Sequence, residues 1–459
     1  VVEDAARLRD ALGAVLPAGV PDSCLTPVAD PLGDVVGRFA RTRGPFPAGA
    51  AAAALGLPVA VVEEILARLE ARGRVGRGAF LPRGQGREWV DAEVLPRLRR
   101  RSLAHLRRQV EAVDAAAYAR FTTAWHGVGE SAGTPEALIE AVRRLQGAAV
   151  PASVLESEVL AARLGFGPSH LDAAAAAGEV VWLGRGALGP HDGRVALYLR
   201  SQVPSLHWPL DLTPPAGRLH DLLRDHLARH GACFFTDLYR AAGGGPPAGV
   251  LDALWDLVWS GEVTNDTPAP LRARLLGAPR HAAGRPALPV AVPPAASGRW
   301  YLVADLLRDL PPPTVRAQAR ADQLLARHGI LGHSVVAAES LPGSFAGLYP
   351  VLSAFEDAGR VQRGYFVEGL GGAQFALPGA LDRLRAGASP RVLTLAATDP
   401  ANPYGASLPW PDLAAGRPAR AAGAYVVLCD GHLTVFVEHG GRRLLTFDDD
   451  PPALDAAAA

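Results

Sequence analysis

One pattern recurs four times and limits what this chain can fold into: an amphipathic helix ends at a glycine, followed by one charged residue, a valine and a short alternating strand. The first copy runs Val62, Ile65, Leu66 and Leu69 into Gly73-Arg74-Val75. The second runs His170 to Ala177 into Gly178-Glu179-Val180, with a return strand Arg194 to Leu199. The third runs Val250, Leu254, Leu257 and Val258 into Gly261-Glu262-Val263, and the fourth runs Phe345, Leu348, Leu352 and Phe355 into Gly359-Arg360-Val361. The valines stand 105, 83 and 98 residues apart, which suits degenerate modules on variable linkers and not a tight solenoid.

Further short helical patterns precede these helices, as at Leu32–Ala40 and Ala48–Ala54, separated by Gly44-Pro45 and Gly56-Leu57-Pro58. Two or three short helices followed by a β-hairpin is the order of a winged helix-turn-helix. Its last helix can enter a major groove while the wing touches the backbone, and the same module also serves as a packing unit. From about Pro390 the period changes to strands: Arg391–Leu395, Ala424–Cys429 and Leu433–Glu438 across Asp430-Gly431, then Arg442–Phe447. The expected fold is α+β, about four tandem winged-helix modules followed by a small antiparallel β-barrel or sheet. The expected boundaries are a lead-in at 1–30, winged helices at 31–85, 131–205, 206–265 and 301–389, an arginine-rich helical linker at 86–130, a Pro/Ala-rich linker at 266–300, and a truncated barrel part at 390–459.

Composition removes whole classes of chemistry. There is no lysine, so all 46 basic residues are arginine, and a Walker A ATPase, a PLP enzyme or a lysine Schiff-base lyase is excluded. Formal net charge is zero, so nucleic-acid contact must come from local arginine clusters. Three dispersed cysteines, Cys24, Cys233 and Cys429, suit a reducing compartment, and no apolar run approaches a membrane span; we expect a cytoplasmic protein without a membrane partner. The absence of methionine, with an opening at Val1, reads as a piece of a longer polypeptide.

The densest basic segment carries Arg97, Arg99, Arg100, Arg101, Arg107 and Arg108 on a predicted helix, with Trp125 nearby as a base-stacking candidate; Arg77 on the first wing completes the DNA-binding candidates. A solvated basic face is the plainer reading of the same run. His226 and His230 stand one helical turn apart, but the intervening sequence lacks a catalytic glutamate and a third ligand, so no metal is expected. No Gly-x-Ser-x-Gly elbow occurs. The proline-rich segment 397–405 presents Asp399, Asn402 and Tyr404 as weak catalytic candidates, since a carboxylate on a rigid loop is what a monofunctional glycosylase needs; an Asx-Pro structural turn has the same appearance.

The segment Thr398–Gly405 with Leu408-Pro409-Trp410-Pro411, the run Gly364–Phe375, and Arg99-Arg100-Arg101-Ser102-Leu103-Ala104 resemble the C-terminal, non-motor region of Lhr, the bacterial large helicase-related proteins. That resemblance covers essentially the whole chain. It implies a role in DNA repair beside an ATP-driven 3′-to-5′ translocase motor on the same polypeptide, with ATP and magnesium held in that motor and no cofactor in this chain. It also implies tandem winged helices with a β-barrel similar to AlkZ-type glycosylases, a homotetramer, and contact with DNA, single-stranded or with a 3′ tail. Uracil-DNA glycosylase activity is the alternative it implies, and no catalytic residue is carried over.

Overall fold

In the computed structural model the described residues are 4–81, 87–98, 111–130, 133–165, 169–209, 211–277, 292–339, 341, 343–387, 391–413, 416–447 and 454–455. They form two compact units, Val1–Glu111 and Ala112–Ala459.

All four glycines of the recurring pattern adopt left-handed backbone, with φ of 71°, 73°, 80° and 70° at Gly73, Gly178, Gly261 and Gly359. Each turn closes with the same two bonds. At the first, Gly73 N donates to Glu70 O (2.8 Å) and Arg74 N to Leu69 O (2.9 Å); at the fourth, Gly359 N donates to Glu356 O and Arg360 N to Phe355 O, both 2.8 Å. This double cap satisfies carbonyls that the helix end leaves open, and only glycine takes the conformation without strain. The chain then reverses, so Val75, Val180, Val263 and Val361 all bury under the helix just left behind.

The four sheets also share one topology. In the first unit β1 (Phe46–Pro47), β2 (Val75–Gly78) and β3 (Glu88–Asp91) pair in the order β1-β3-β2, all antiparallel. In the second unit β4 (Val150–Pro151), β5 (Val180–Ala187) and β6 (Gly193–Leu199) pair as β4-β6-β5. Then β7 (Cys233–Phe234), β8 (Val263–Asn265) and β9 (Arg299–Leu302) pair as β7-β9-β8, and β10 (Ile330–Leu331), β11 (Gln362–Gly364) and β12 (Gln374–Ala376) as β10-β12-β11. A short strand after the first helix, with the last strand in the centre, is winged-helix topology in each case.

Three expected boundaries move, two of them because a strand's partner lies further along than the sequence pattern reached. The wing of the first module pairs β2 with β3 at 88–91, inside the stretch read as a linker. The stretch 266–300 is likewise no linker between modules. It lies between the second and third strands of the third module, carries the helix Ala269–Leu276, and ends in β9, the central strand of that sheet. Finally, Ala115–Trp125, read as part of the arginine-rich linker, is a helix of the second unit, capped by Asp114, whose side chain accepts from Ala117 N.

The closing strands β13 (Val392–Ala396), β14 (Tyr425–Cys429), β15 (His432–Val437) and β16 (Leu444–Thr446) form an open four-stranded antiparallel sheet in sequence order. Of the two expected forms, barrel or sheet, the described residues make the sheet. The second unit holds two principal cores. One joins the second and third modules around Trp182, Trp255 and Trp300; the other joins the fourth module to helix Ala115–Trp125 and the closing sheet around Tyr118, Phe375 and Val426. Where the second and third modules meet, a Cβ on Gly184 would lie 1.8 Å from Val258 O, so glycine there permits direct backbone contact between wing and helix.

Candidate nucleic-acid interface

In a winged helix the third helix ordinarily reads the groove, so its outward charge decides whether it can approach phosphates. Here those helices are Val59–Ala71, Ser169–Ala176, Pro247–Trp259 and Ser344–Asp357. Between them they contain one arginine, Arg68. The first shows Glu63, Glu64 and Glu70 to solvent beside it. On the second, Asp172 pairs with Arg272 at 2.9 Å. The third buries Leu251, Trp255, Leu257 and Trp259, and its exposed positions include Asp252 and Asp256. The fourth carries only the acidic charges Glu356 and Asp357. Groove insertion by these helices is therefore electrostatically disfavoured.

Positive charge gathers instead in a cleft of about 390 Å³ on the second unit, lined by Arg120, Phe121, Trp125, Glu130, Arg383, Arg391, Leu393 and Leu428 among others. Three separate elements build it. Arg120 projects from helix Ala115–Trp125 and donates to Asp430 O at 2.6 Å, with the Asp430 carboxylate 3.5 Å away. That contact depends on the tight turn between β14 and β15, where Asp430 (φ 48°) and Gly431 (φ 81°) are both left-handed. A Cβ on Gly431 would lie 2.2 Å from Ala116 O, so the turn seats against the helix only because the residue is glycine. Arg383 lies on helix Pro378–Ala386 and Arg391 just before β13; both are exposed, and neither is ion-paired among the described residues.

Trp125, singled out in the sequence, stands in this cleft. Its indole N–H donates to Ala326 O at 2.9 Å, and the guanidinium carbons of Arg383 and Arg144 lie 5.2 and 5.4 Å from its ring. The ring is a fixed wall that holds Arg383 by a cation–π contact, and a base would compete with that arginine for the same surface.

Behind the wall lies a buried polar network. Arg163 and Asp399 form a bidentate pair, with N–H to carboxylate distances of 2.9 and 2.8 Å, and Arg163 also donates to Val159 O. His126 Nδ1 lies 3.3 Å from Arg163. Burial, and then the Arg163 charge, hold His126 well below its usual pKa, so it is neutral. Since arginine only donates, Nδ1 accepts and the proton sits on Nε2. Nearby, Glu339 bonds both Arg327 and His328; burial pushes its carboxyl upward, but those two partners outweigh it and set the pKa at about 2.

This network takes up the loop candidates. Asp399 is 1% exposed and spends its oxygens on Arg163 and on Ala401 N (2.7 Å). Asn402 accepts from Tyr404 N and donates to Ala397 O, an Asx turn. The Tyr404 hydroxyl donates to Gly431 O at 2.9 Å, with its pKa pushed up to about 12 by burial. Arg420 ties down the carbonyls of Asp399, Asn402 and Tyr404. The three candidates hold the loop together, and none faces the cleft. The carboxylate that does is Glu130, which the sequence reading passed over along with Arg120, Arg383 and Arg391. These four come from two distant stretches of sequence, 120–130 and 383–391, and share no local pattern; the Asp-Gly turn and Trp125 were the nearest signals.

In the first unit, Arg77 is exposed on β2 with its guanidinium 5.6 Å from the Trp89 ring, and Arg97 is exposed among the helical residues 94–98. Arg99, Arg100, Arg101, Arg107 and Arg108 lie outside the described residues. The unit carries 17 arginines against 13 carboxylates, so it holds the chain's positive balance.

Residues 113–200 and 310–393 match family models of large helicase-related protein winged-helix domains. The chain is 46% identical over 489 residues to "Lhr helicase/ probable uracil glycosylase" of Mycolicibacterium smegmatis, and 36% identical over 502 residues to "Lhr helicase/uracil glycosylase" of Escherichia coli. These alignments cover 100% and 99% of the chain but 32% of each relative. Among solved structures, the Streptomyces sahachiroi DNA glycosylase AlkZ aligns over 76% of this chain and 96% of its own, with a TM-score of 0.48 and 17% identity.

Proposed function

The chain belongs to the large helicase-related, or Lhr, family as a winged-helix region of these helicase/glycosylase proteins, and from that premise we propose that it guides DNA for the motor of the longer polypeptide. The observation that carries the reading is the cleft of Arg120, Arg383 and Arg391 around Trp125, set against four third helices that hold one arginine between them. Single-stranded DNA fits it better than a duplex groove reader, because the cations are spread over three elements and not along one helix. Arg77, Arg97 and the run from Arg99 to Arg108 add phosphate contacts from the first unit. Assembly into a homotetramer is part of the same proposal, and light scattering that returns a monomer at micromolar protein overturns it.

A second reading, removal of uracil from DNA, is favoured by one feature: Glu130 places a carboxylate in the arginine-lined cleft, whereas Asp399 is buried and paired. Without lysine there is no side-chain Schiff base, so the product would be an abasic site without a nick. Incubation with uracil-containing single-stranded DNA followed by alkali tests it. Alkali-dependent breaks that vanish in Glu130→Gln support excision; their absence in the wild type leaves DNA guidance alone.

A further inference from the structure

A second cationic cluster lies elsewhere on the second unit, apart from the cleft. Arg185 projects from β5, on the wing of the second module; Arg316 and Arg320 lie one turn apart on helix Pro313–His328 of the fourth. All three converge on one stretch of backbone. Arg316 and Arg320 donate to His207 O at 3.3 and 2.8 Å, and Arg185 donates to Trp208 O at 2.8 Å. The guanidinium carbons of Arg185 and Arg320 lie 4.7 and 5.7 Å from the Trp208 ring.

Three guanidinium groups brought this close normally enclose a carboxylate. None of the three has an ion pair among the described residues; the charges acting on His207 are the three arginines themselves, and the carboxylate that acts on neighbouring Tyr198, Glu339, is itself bonded to Arg327 and His328. Burial, then Arg185, Arg320 and Arg316 in turn, hold His207 at about 4, so it is neutral and adds no counter-charge. The cluster also leaves hydrogen-bonding capacity unspent. The Nε atoms of Arg185, Arg316 and Arg320, His207 Nδ1 and the Tyr198 hydroxyl are all buried without a partner. Clustered guanidinium charge with hydrogen-bonding capacity still unspent suits an oxyanion. Trp208 is buried, so the site offers no ring face for a base.

We infer that Arg185, Arg316 and Arg320 form an oxyanion site for a phosphate group, either free or at the end of a nucleic-acid strand. A phosphate dianion suits three guanidinium forks better than a carboxylate, since it supplies more acceptor oxygens and neutralises more of the charge. The site stands on its own geometry and not on the cleft, so one can fail without the other.

The test is calorimetric titration of inorganic phosphate into the full chain in chloride buffer. The wild type binds saturably, and Arg316→Gln with Arg320→Gln weakens binding by at least about tenfold, corresponding to the loss of two charge-assisted contacts. Independently of any variant, phosphate shields Arg316 and Arg320 of the wild type from phenylglyoxal, as read by mass spectrometry. A 5′-phosphorylated oligonucleotide that displaces phosphate better than its 5′-hydroxyl twin assigns the site to strand ends; equal displacement assigns it to a free phosphate compound. No saturable phosphate binding by the wild type, or phosphate leaving phenylglyoxal modification of both arginines unchanged, overturns the inference.

Discussion

Replacing Asp399 by Asn separates a structural carboxylate from a catalytic one. The side chains of Arg163 and Asp399 are 3% and 1% exposed, and two hydrogen bonds of 2.9 and 2.8 Å join them. Asparagine keeps the shape but presents one oxygen and one NH₂ where the guanidinium needs two acceptors, so the Arg163 charge stays buried without its counter-ion. Removing one partner of a buried pair costs about 3–5 kcal/mol. With an unfolding entropy of roughly 2.1 cal/mol/K per residue, a unit the length of Ala112–Ala459 should melt about 4–7 °C lower. Calorimetry at neutral pH measures this directly. The companion pair Arg163→Met with Asp399→Leu removes both charges and should recover more than half of the loss, because well-packed apolar replacements of a buried pair are often nearly neutral. If Asp399→Asn melts with the wild type while abolishing a DNA-processing activity, Asp399 is a working carboxylate and its assignment to loop structure is wrong.

Other outcomes follow from single contacts. Gly184→Ala should break the join between the second and third modules, since its Cβ would fall 1.8 Å from Val258 O; the expected loss is about 3 kcal/mol or more, read by denaturant unfolding, whereas the same change at open Gly189 should be silent. Acid should weaken the second unit in two windows. His207, neutral in the fold at about 4, makes the unfolded state the better proton acceptor, so stability falls as pH drops from about 6.5 toward 4, by about 2 kcal/mol at pH 5. Glu339, held at about 2, contributes stability that is full above its unfolded value near 4.5 and is lost as pH falls through 2. A urea midpoint that stays flat from pH 7 to 5 contradicts the first window.

The recurring helix–glycine–valine pattern carried the modular fold, because a helix cap is a local event: the left-handed glycine, its two capping bonds and the buried valine all fall within a few residues. The closing hairpin across Asp430-Gly431 was legible for the same reason. Strand partners were not. A wing tolerates long insertions, so nothing local reveals that Glu88–Asp91 or Arg299–Leu302 returns to the sheet; the first was assigned to a linker and the second was split between a linker and the fourth module. Candidate sites divide along the same line. Trp125 was visible as an aromatic near a basic run, but its arginine neighbours Arg144 and Arg383 arrive from other elements. Asp399 was conspicuous because prolines surround it, and those prolines shape a loop whose polar groups turn inward to Arg163 and Arg420.

The central claim is that phosphates meet the arginine cleft and not the third helices. Fluorescence anisotropy of a labelled single-stranded oligonucleotide, taken across a salt series, measures it for the wild type, for Arg120→Gln with Arg383→Gln and Arg391→Gln, and for Arg68→Gln as the third-helix control. Each lost phosphate contact lowers the slope of log affinity against log salt by about 0.7, so the triple variant should lose about 2 from the slope while Arg68→Gln keeps it. An unchanged slope in the triple variant, or a loss confined to Arg68→Gln, contradicts the account.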